Sequence, residues 1–76
     1  MQVSVDEIQK LVGLQLGRRI VAASDRLMED LDAESADLVN MVATLEEKYN
    51  IRIAEEEIPA IRSVSDLCDL VNRHLA

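Results

Sequence analysis

The sequence predicts an all-α protein, a small four-helix bundle with three principal helices and one short third helix. Three observations support this class. Apolar residues recur at every third or fourth position in three separate stretches, which is the period of an amphipathic helix. Two of the stretches open with a serine followed three residues later by an acid, a capping-box pattern. The chain has only two glycines and one proline, too few for a turn-rich β fold, and it lacks tryptophan and phenylalanine, which are typical of strands.

The first helix is predicted to begin after Ser4, with Glu7 completing the capping box. Its apolar face follows a three- and four-residue spacing: Val5, Ile8, Val12 and Leu16. Gly17 suits the position just past the C-terminus of a helix, whereas Gly13 is mildly unfavourable inside one. Residues 18–34 have no sustained period, so we predict a long loop that is pinned to the core by Leu27, Met28 and Leu31.

The second helix is predicted to begin near Ser35 and to end at Asn50, because asparagine tolerates the left-handed conformation of a C-cap. Its apolar face comprises Leu38, Val42, Leu45 and Tyr49. Residues 51–53 alternate like a strand but lack a partner, which favours an extended connector. Pro59 disfavours helical dihedral angles at Ile58, so the short third helix is predicted to start at Pro59.

The last helix is predicted to begin after Ser63, with Asp66 completing its capping box. Its apolar residues are Leu67, Cys68, Leu70, Val71 and Leu75. Cys68 lies among them and is expected to be a buried, unreactive thiol. His74, the single histidine, has no carboxylate at a fixed sequence spacing. No catalytic triad, phosphate-binding loop or zinc-ligand spacing is present, so neither an enzyme nor a metal site is expected.

Length and charge limit the possible functions. A chain of 76 residues has room for one core, which predicts a single domain over residues 1–76. The net charge is −7, and residues 25–57 hold eleven acids against three bases. Nucleic acid and anionic membranes would be repelled, and the longest apolar run, residues 20–23, is too short for membrane insertion. One cysteine fits a reducing, cytoplasmic setting. The acidic stretch is either a solvated face or a docking face for basic partners.

The hydroxyl of Ser35 permits two interpretations. On position alone, Ser35 is an N-cap of the second helix, because serine is favoured there. Alternatively, Ser35 receives a phosphate-linked group, since a helix N-terminus offers free N–H groups and the positive end of the dipole to an anion. Glu34 and Asp37 would oppose that anion, so they are expected to serve a partner instead. The position of the serine does not decide between the two.

Residues 29–37, EDLDAESAD, resemble the phosphopantetheine attachment region of acyl carrier proteins, which is usually E-D-L-G-A-D-S-L-D. The similarity continues through residues 38–49, which match that family's second helix and its L-E-E-x-F/Y ending. Residues 51–57 and 61–67 are similar to its third and fourth helices. The resemblance therefore implies an acyl-carrier-like bundle, in agreement with the helices predicted from periodicity.

The resemblance also implies a carrier, in which the protein does no bond chemistry itself. A phosphopantetheinyl transferase would attach a 4′-phosphopantetheine arm covalently to Ser35, and the thiol of the arm would hold an acyl group as a thioester. The other partners would be acyl-transferring or acyl-activating enzymes with basic docking patches, in fatty-acid, lipid or polyketide-type biosynthesis. A monomer is expected. The alternatives are a carrier-derived acidic interaction domain without the arm, and a peptidyl or aminoacyl carrier.

Two sets of residues complete the expected site. The docking surface lies along the second helix: Glu34, Ala36, Asp37, Asn40, Met41, Glu46 and Glu47. The acyl chain is expected to enter between the second helix and the third-helix segment, among Leu27, Val42, Leu45, Ile53, Ile58, Ile61, Leu67 and Val71. Ala36 stands where the family has an exposed leucine, Asn40 where it has an acid, and Ala43 where methionine is frequent. These departures favour a specialised carrier with few partners.

Overall fold

The computed structural model describes residues 2–76 and contains four helices. The three principal helices are α1 (Val5–Leu16), α2 (Ser35–Tyr49) and α3 (Val64–Leu75), and a 3₁₀ helix (Glu55–Ala60) precedes α3. Within residues 2–76 there is no β-strand, only one isolated antiparallel bridge between Arg26 and Ser63. The predicted all-α class is confirmed. No helix in this part of the chain is long and apolar enough to cross a membrane.

The ends of the principal helices follow the capping signals of the sequence. The Ser4 hydroxyl accepts a hydrogen bond from the backbone N–H of Glu7, and Gly17 adopts a left-handed φ of 67° at the other end of α1. Asn50 ends α2 in the same way, with a φ of 54°. In α3, the Ser63 hydroxyl accepts from the Asp66 N–H at 3.1 Å. These interactions satisfy backbone groups that have no partner inside a helix.

Asp66 returns the capping interaction, and its carboxylate links α3 to the segment before it. Its Oδ2 accepts from the backbone N–H groups of Ser63 and Arg62, each at 3.1 Å. The Ser63 hydrogen bond is the main cause that holds the pKa of Asp66 below its ordinary value of 3.8, and the Arg62 hydrogen bond adds to it. A carboxyl whose pKa is lowered by folding stabilises the folded protein above its unfolded pKa, and this contribution disappears as the pH falls through the folded pKa.

Replacement of Asp66 by asparagine is therefore expected to destabilise the protein at neutral pH and much less at strongly acidic pH. The stability difference from wild type should shrink as the pH falls below the ordinary aspartate pKa of 3.8, where the wild-type carboxylate takes up its proton. Urea unfolding as a function of pH measures the difference. Asp69→Asn, at an exposed carboxylate of the same helix, is the matched control. An Asp66→Asn difference that is constant with pH would contradict the assigned role.

The core is a cluster of mainly aliphatic side chains from the three principal helices and from the segments that connect them, and the 3₁₀ helix adds only the partly buried Ile58 at its edge. Its fully buried members are Ile8, Val12, Leu27, Met41, Leu45, Val64, Leu67, Leu70 and Val71. The long loop between α1 and α2 is confirmed as irregular structure, and four of its side chains lie in this core: Val21, Leu27, Leu31 and Ala33. Burial of these apolar side chains holds the loop against the helices without regular backbone pairing.

Backbone hydrogen bonds fix the loop to the start of α3. The Leu27 N–H donates to the Arg62 carbonyl at 2.8 Å, the Val64 N–H to the Asp25 carbonyl at 3.0 Å, and the Ser65 N–H to that of Ala23 at 2.9 Å. These contacts cross between segments that lie far apart in the sequence. They place the two arginines, Arg26 and Arg62, on neighbouring backbone segments.

Gly13 has a structural reason to lie inside α1. It is buried inside α1, on the side against which the chain turns back after the helix. A Cβ added to Gly13 would stand 2.8 Å from the Arg18 carbonyl oxygen. A contact of that length with a backbone atom would force the chain to shift. Glycine is therefore favoured at this position although it is a poor helix former.

The third helix begins earlier than the sequence predicts. The prediction that it starts at Pro59 is wrong, because the 3₁₀ helix starts at Glu55 and Pro59 lies inside it. The Glu57 N–H donates to the Ala54 carbonyl at 3.0 Å, and the Glu57 carboxylate accepts from the Ala54 N–H at 2.8 Å. The fixed φ of proline suits a 3₁₀ helix, and proline removes only its own donor from so short a run.

His74 has a carboxylate partner that its sequence spacing does not indicate. Its Nε2 lies 3.0 Å from each carboxylate oxygen of Glu57, so the end of α3 contacts the 3₁₀ helix. The hydrogen bond from the Ala54 N–H is the main cause that lowers the pKa of Glu57, and the His74 contact lowers it further. The sequence spacing around His74 gave no sign of this contact, because the fold brings together residues 17 positions apart.

Candidate functional site

Ser35 is the first residue of α2, and its hydroxyl is exposed. The N-cap is Glu34, so the interpretation of Ser35 as the N-cap is wrong. The Glu34 N–H donates to the Asp37 carboxylate at 2.9 Å, a capping interaction in which the serine takes no part. The serine hydroxyl therefore stands at the positive end of the helix dipole, outside the capping interaction. This environment suits a covalently attached phosphate, whose charge is favourable near a helix N-terminus.

A groove of about 400 Å³, the Ser35 groove, opens beside Ser35. It lies between the loop, α2, the 3₁₀ helix and the segment that leads into α3. Its lining is Arg26, Met28, Glu29, Ser35, Leu38, Val39, Ile58, Pro59, Ile61 and Arg62. Two of these residues are large apolar side chains with unusual exposure: Met28 is 48% exposed and Val39 is 54% exposed. The groove thus combines an apolar floor with a charged rim.

A second groove of about 760 Å³ runs along the other side of the contact between α2 and the 3₁₀ helix. Its lining is Val39, Val42, Ala43, Glu46, Arg52, Ile53, Ala54, Glu55, Glu56, Ile58 and Pro59. Three residues, Val39, Ile58 and Pro59, line both grooves. These three apolar residues therefore border both spaces.

The residues expected in the acyl site divide into two groups. Ile58 and Ile61 line the Ser35 groove, and Val42, Ile53 and Ile58 line the second groove. The remaining four, Leu27, Leu45, Leu67 and Val71, are at most 1% exposed and line neither groove. These four residues belong to the closed core, so an acyl chain reaches them only if core side chains move apart, and their part in the acyl site stays a prediction.

The residues expected on the docking surface are mostly exposed. Glu34, Ala36, Asn40 and Glu47 face solvent, and Asp37 and Glu46 are half-buried. The Glu46 carboxylate also accepts from the Ile53 N–H at 2.8 Å, so part of its capacity is used inside the protein. Met41 is fully buried, and its assignment to the docking surface is wrong. It lies three residues after Leu38 and four before Leu45, both buried, which puts it on the core face of α2.

Sequence reasoning missed Met28 and Val39 as surface residues of the site. Val39 lies one turn after Ser35 on α2, and this spacing brings it to the same side of the helix. The prediction that Met28 helps to pin the loop to the core is wrong, because Met28 is 48% exposed. The loop has no period from which this exposure could have been predicted. Both side chains lie at the mouth of the Ser35 groove, where a partner that takes hold of Ser35 would contact them.

The acids of the loop are largely paired, unlike those of α2. Arg26 contacts the Glu29 carboxylate at 2.6 Å and the Asp30 carboxylate at 3.3 Å, and Arg18 contacts Asp32 at 3.3 Å. Hydrogen bonds from Arg26, the backbone N–H first, lower the pKa of Asp30. The unneutralised negative charge around Ser35 is thus concentrated on α2.

Comparisons with known proteins show to which family the chain is similar. The family model for the phosphopantetheine attachment site matches residues 6–71. The acyl carrier protein of Buchnera aphidicola subsp. Baizongia pistaciae (strain Bp) is 32% identical over 77 residues, covering 99% of both chains. The crystal structure of an acyl carrier protein from Thermotoga maritima is similar, with a TM-score of 0.78 and 29% identity, covering 93% of this chain and 85% of that chain.

A second solved structure, the oxytetracycline acyl carrier protein, has a TM-score of 0.79 and 16% identity, covering 99% of this chain and 84% of that chain. At that identity the likeness concerns the fold alone. Together with the family match, the comparisons define a carrier class, and the chain belongs to the phosphopantetheine-binding acyl carrier protein family. It is a carrier and not an enzyme, and its prosthetic group is covalently bound phosphopantetheine. The exposed serine hydroxyl beside an apolar groove fits such a group.

Proposed function

We propose that Ser35 carries the 4′-phosphopantetheine arm and that the protein presents an acyl thioester on it to partner enzymes. The observation that supports this most strongly is that the Ser35 hydroxyl is exposed and opens onto the Ser35 groove. Ser4 and Ser63, by contrast, use their hydroxyls as helix caps. When bound, the arm supplies the thiol that holds the acyl group. The chain supplies the attachment oxygen, the groove and the docking surface.

Incubation with a phosphopantetheinyl transferase and coenzyme A tests this function. The intact mass is expected to increase by one phosphopantetheine, and digestion is expected to place it on the peptide that contains Ser35. An interaction domain without the arm would keep its mass. A peptidyl or aminoacyl carrier would also gain the arm, so loading with acyl-activating and with aminoacyl-activating enzymes separates those two carrier types.

We also propose a docking surface for these enzymes around Ser35. The acids Glu34, Asp37 and Glu47 would meet arginine or lysine on the partner, and Met28 and Val39 would supply the apolar contact. Ala36 is too small to serve as an apolar anchor, which supports a specialised carrier with a narrow set of partners. Residues 1–76 would act as one monomeric carrier domain in the cytoplasm, where the lone buried thiol of Cys68 would stay reduced.

Neutralising Glu47 is expected to weaken binding to such a partner by about two- to fivefold at low salt, the range typical of one exposed ion pair. Glu47 is exposed on α2, so its charge is available to a partner. The measurement is the affinity of Glu47→Gln for a phosphopantetheinyl transferase at low and high salt, where screening reduces the difference. Asp6→Asn, at an exposed residue of α1, is the control and should bind like wild type. Equal affinities for both variants at low salt would refute the proposed surface.

We propose that the acyl chain lies along the boundary between α2 and the 3₁₀ helix, where the two grooves share Val39, Ile58 and Pro59. Each methylene group withdrawn from water there contributes about 0.8 kcal/mol. Loading is expected to shift the methyl NMR signals of Ile58, Val42 and Ile53 between the thiol and acyl forms. The methyls of Val5, on α1, serve as the reference. Signals of the three residues that move no more than the reference would argue against this position.

A further inference from the structure

The Ser35 groove contains one arginine whose guanidinium has no carboxylate partner. Two arginines line the groove, Arg26 and Arg62. The guanidinium of Arg26 forms ion pairs with Glu29 and Asp30. That of Arg62 forms no ion pair with any residue between 2 and 76. Two arginines therefore line the groove. The charge of Arg26 is neutralised by two carboxylates, whereas Arg62 has no ion-pair partner within residues 2–76, in a protein whose net charge is −7.

The backbone of Arg62 is held in place although its side chain is not. Its carbonyl oxygen accepts from the Leu27 N–H at 2.8 Å, and its N–H donates to the Asp66 carboxylate at 3.1 Å. The Oδ2 of Asp66 thus binds the backbone N–H groups of Arg62 and Ser63. The charge of Arg62 also lowers the pKa of Asp66, but its guanidinium makes no ion-pair contact with this or any other carboxylate of residues 2–76, so its N–H donors can bind another anion.

The group that Ser35 is proposed to carry brings such an anion into the same groove. A phosphodiester on the Ser35 oxygen has its phosphorus one bond from that oxygen, and Ser35 and Arg62 line one space of about 400 Å³. The planar guanidinium presents paired N–H donors that match two phosphate oxygens. The acids nearest the serine, Glu34 and Asp37, would repel the phosphate, so a cation on the opposite wall has an electrostatic role there.

We propose that Arg62 binds the phosphodiester of the phosphopantetheine arm and thereby turns the arm into the Ser35 groove. The inference rests on the proposed attachment at Ser35. With its phosphate held at Arg62, the pantetheine part of the arm lies over the apolar side chains of Met28, Val39 and Ile58. Arg62 is a positioning residue in this account. It sets the direction in which the arm leaves the protein, and a partner enzyme has to replace this contact to draw the arm out.

NMR of the protein before and after attachment of the arm tests the proposal. Attachment is expected to shift the side-chain Nε–H signal of Arg62 and to leave that of Arg52 in place. Arg52 is an exposed arginine that lines the second groove, which does not include Ser35. In the arm-bearing protein, Arg62→Gln is expected to narrow the phosphorus signal, because the phosphate becomes more mobile. Arg52→Gln, the same change of charge, should leave the line width at its wild-type value. Arg62→Lys should give an intermediate width, since lysine keeps the charge without the paired donors.

The outcomes separate this inference from the function on which it rests. A protein that gains no arm at Ser35 would overturn the proposed function and this inference together. A protein that gains the arm there, with an unmoved Arg62 signal and the same phosphorus line width in all variants, would overturn only the role of Arg62. Circular dichroism checks that each variant is folded. If Arg62→Gln does not fold, the shift of the wild-type Arg62 signal upon attachment decides.

Discussion

Replacement of Ser35 by alanine is expected to abolish attachment of phosphopantetheine completely and to leave the helical content unchanged. The hydroxyl is the only group at this position that can form the bond to phosphorus, and a methyl group offers no substitute. Stability should change little, because Ser35 is the first helical residue and Glu34 provides the N-cap. Alanine also has the higher helix propensity. Intact mass after incubation with the transferase and coenzyme A gives the result, and circular dichroism reports the fold.

Ser24→Ala is the matched control for this variant. Ser24 is an exposed serine of the loop and lies outside the lining of the Ser35 groove. Its alanine variant should gain the arm at the wild-type rate. If Ser35→Ala still gains the mass of the arm, the attachment residue is another one and the proposed geometry of the site fails with it.

Replacement of Leu67 by alanine is expected to lower the free energy of unfolding by about 2–5 kcal/mol, the range for a buried leucine truncated in a packed core. Leu67 has no exposed surface and lines neither groove. The change therefore removes apolar contacts and leaves a cavity beneath the proposed acyl site. Urea unfolding measures the loss as a lower transition midpoint at an unchanged slope.

Leu14→Ala makes the same chemical change where the side chain is 86% exposed, on α1. Its effect should stay within about 0.5 kcal/mol, as for other surface substitutions. Equal effects of the two substitutions would mean that the cluster around Leu67 is not a closed core. The distinction between the core and the two grooves would then have to be abandoned.

The sequence predicts the principal helices of this protein well because their ends are marked by local chemistry. Ser4, Gly17, Asn50 and Ser63 each act on backbone groups within a few residues, and such interactions do not depend on the rest of the fold. The helical period likewise predicts that Leu38, Val42 and Leu45 face inward and that Cys68 is buried, and all four residues are buried in the structure. The family resemblance rests on another local feature, the run of residues 29–37 around Ser35.

The wrong predictions, and the contact that the sequence did not indicate, depend on information that local patterns do not contain. The proline rule applied to the third helix concerns α-helices, and the segment from Glu55 folds as a 3₁₀ helix instead. The contact between Glu57 and His74 joins two elements whose relative position is set by the core. Whether an apolar side chain is exposed or fills the core depends on which neighbours cover it. The exposure of Met28 in the loop could not be predicted for the same reason.

The most direct test of the carrier function is the mass of the protein purified from the cells that make it. The account predicts a mass above that of the bare chain, with the added group on the peptide that contains Ser35. It predicts further that hydroxylamine, which cleaves thioesters, removes the acyl part and leaves the phosphopantetheine arm in place. A purified protein with the mass of the bare chain alone, which also gains nothing from the transferase and coenzyme A, would contradict the account.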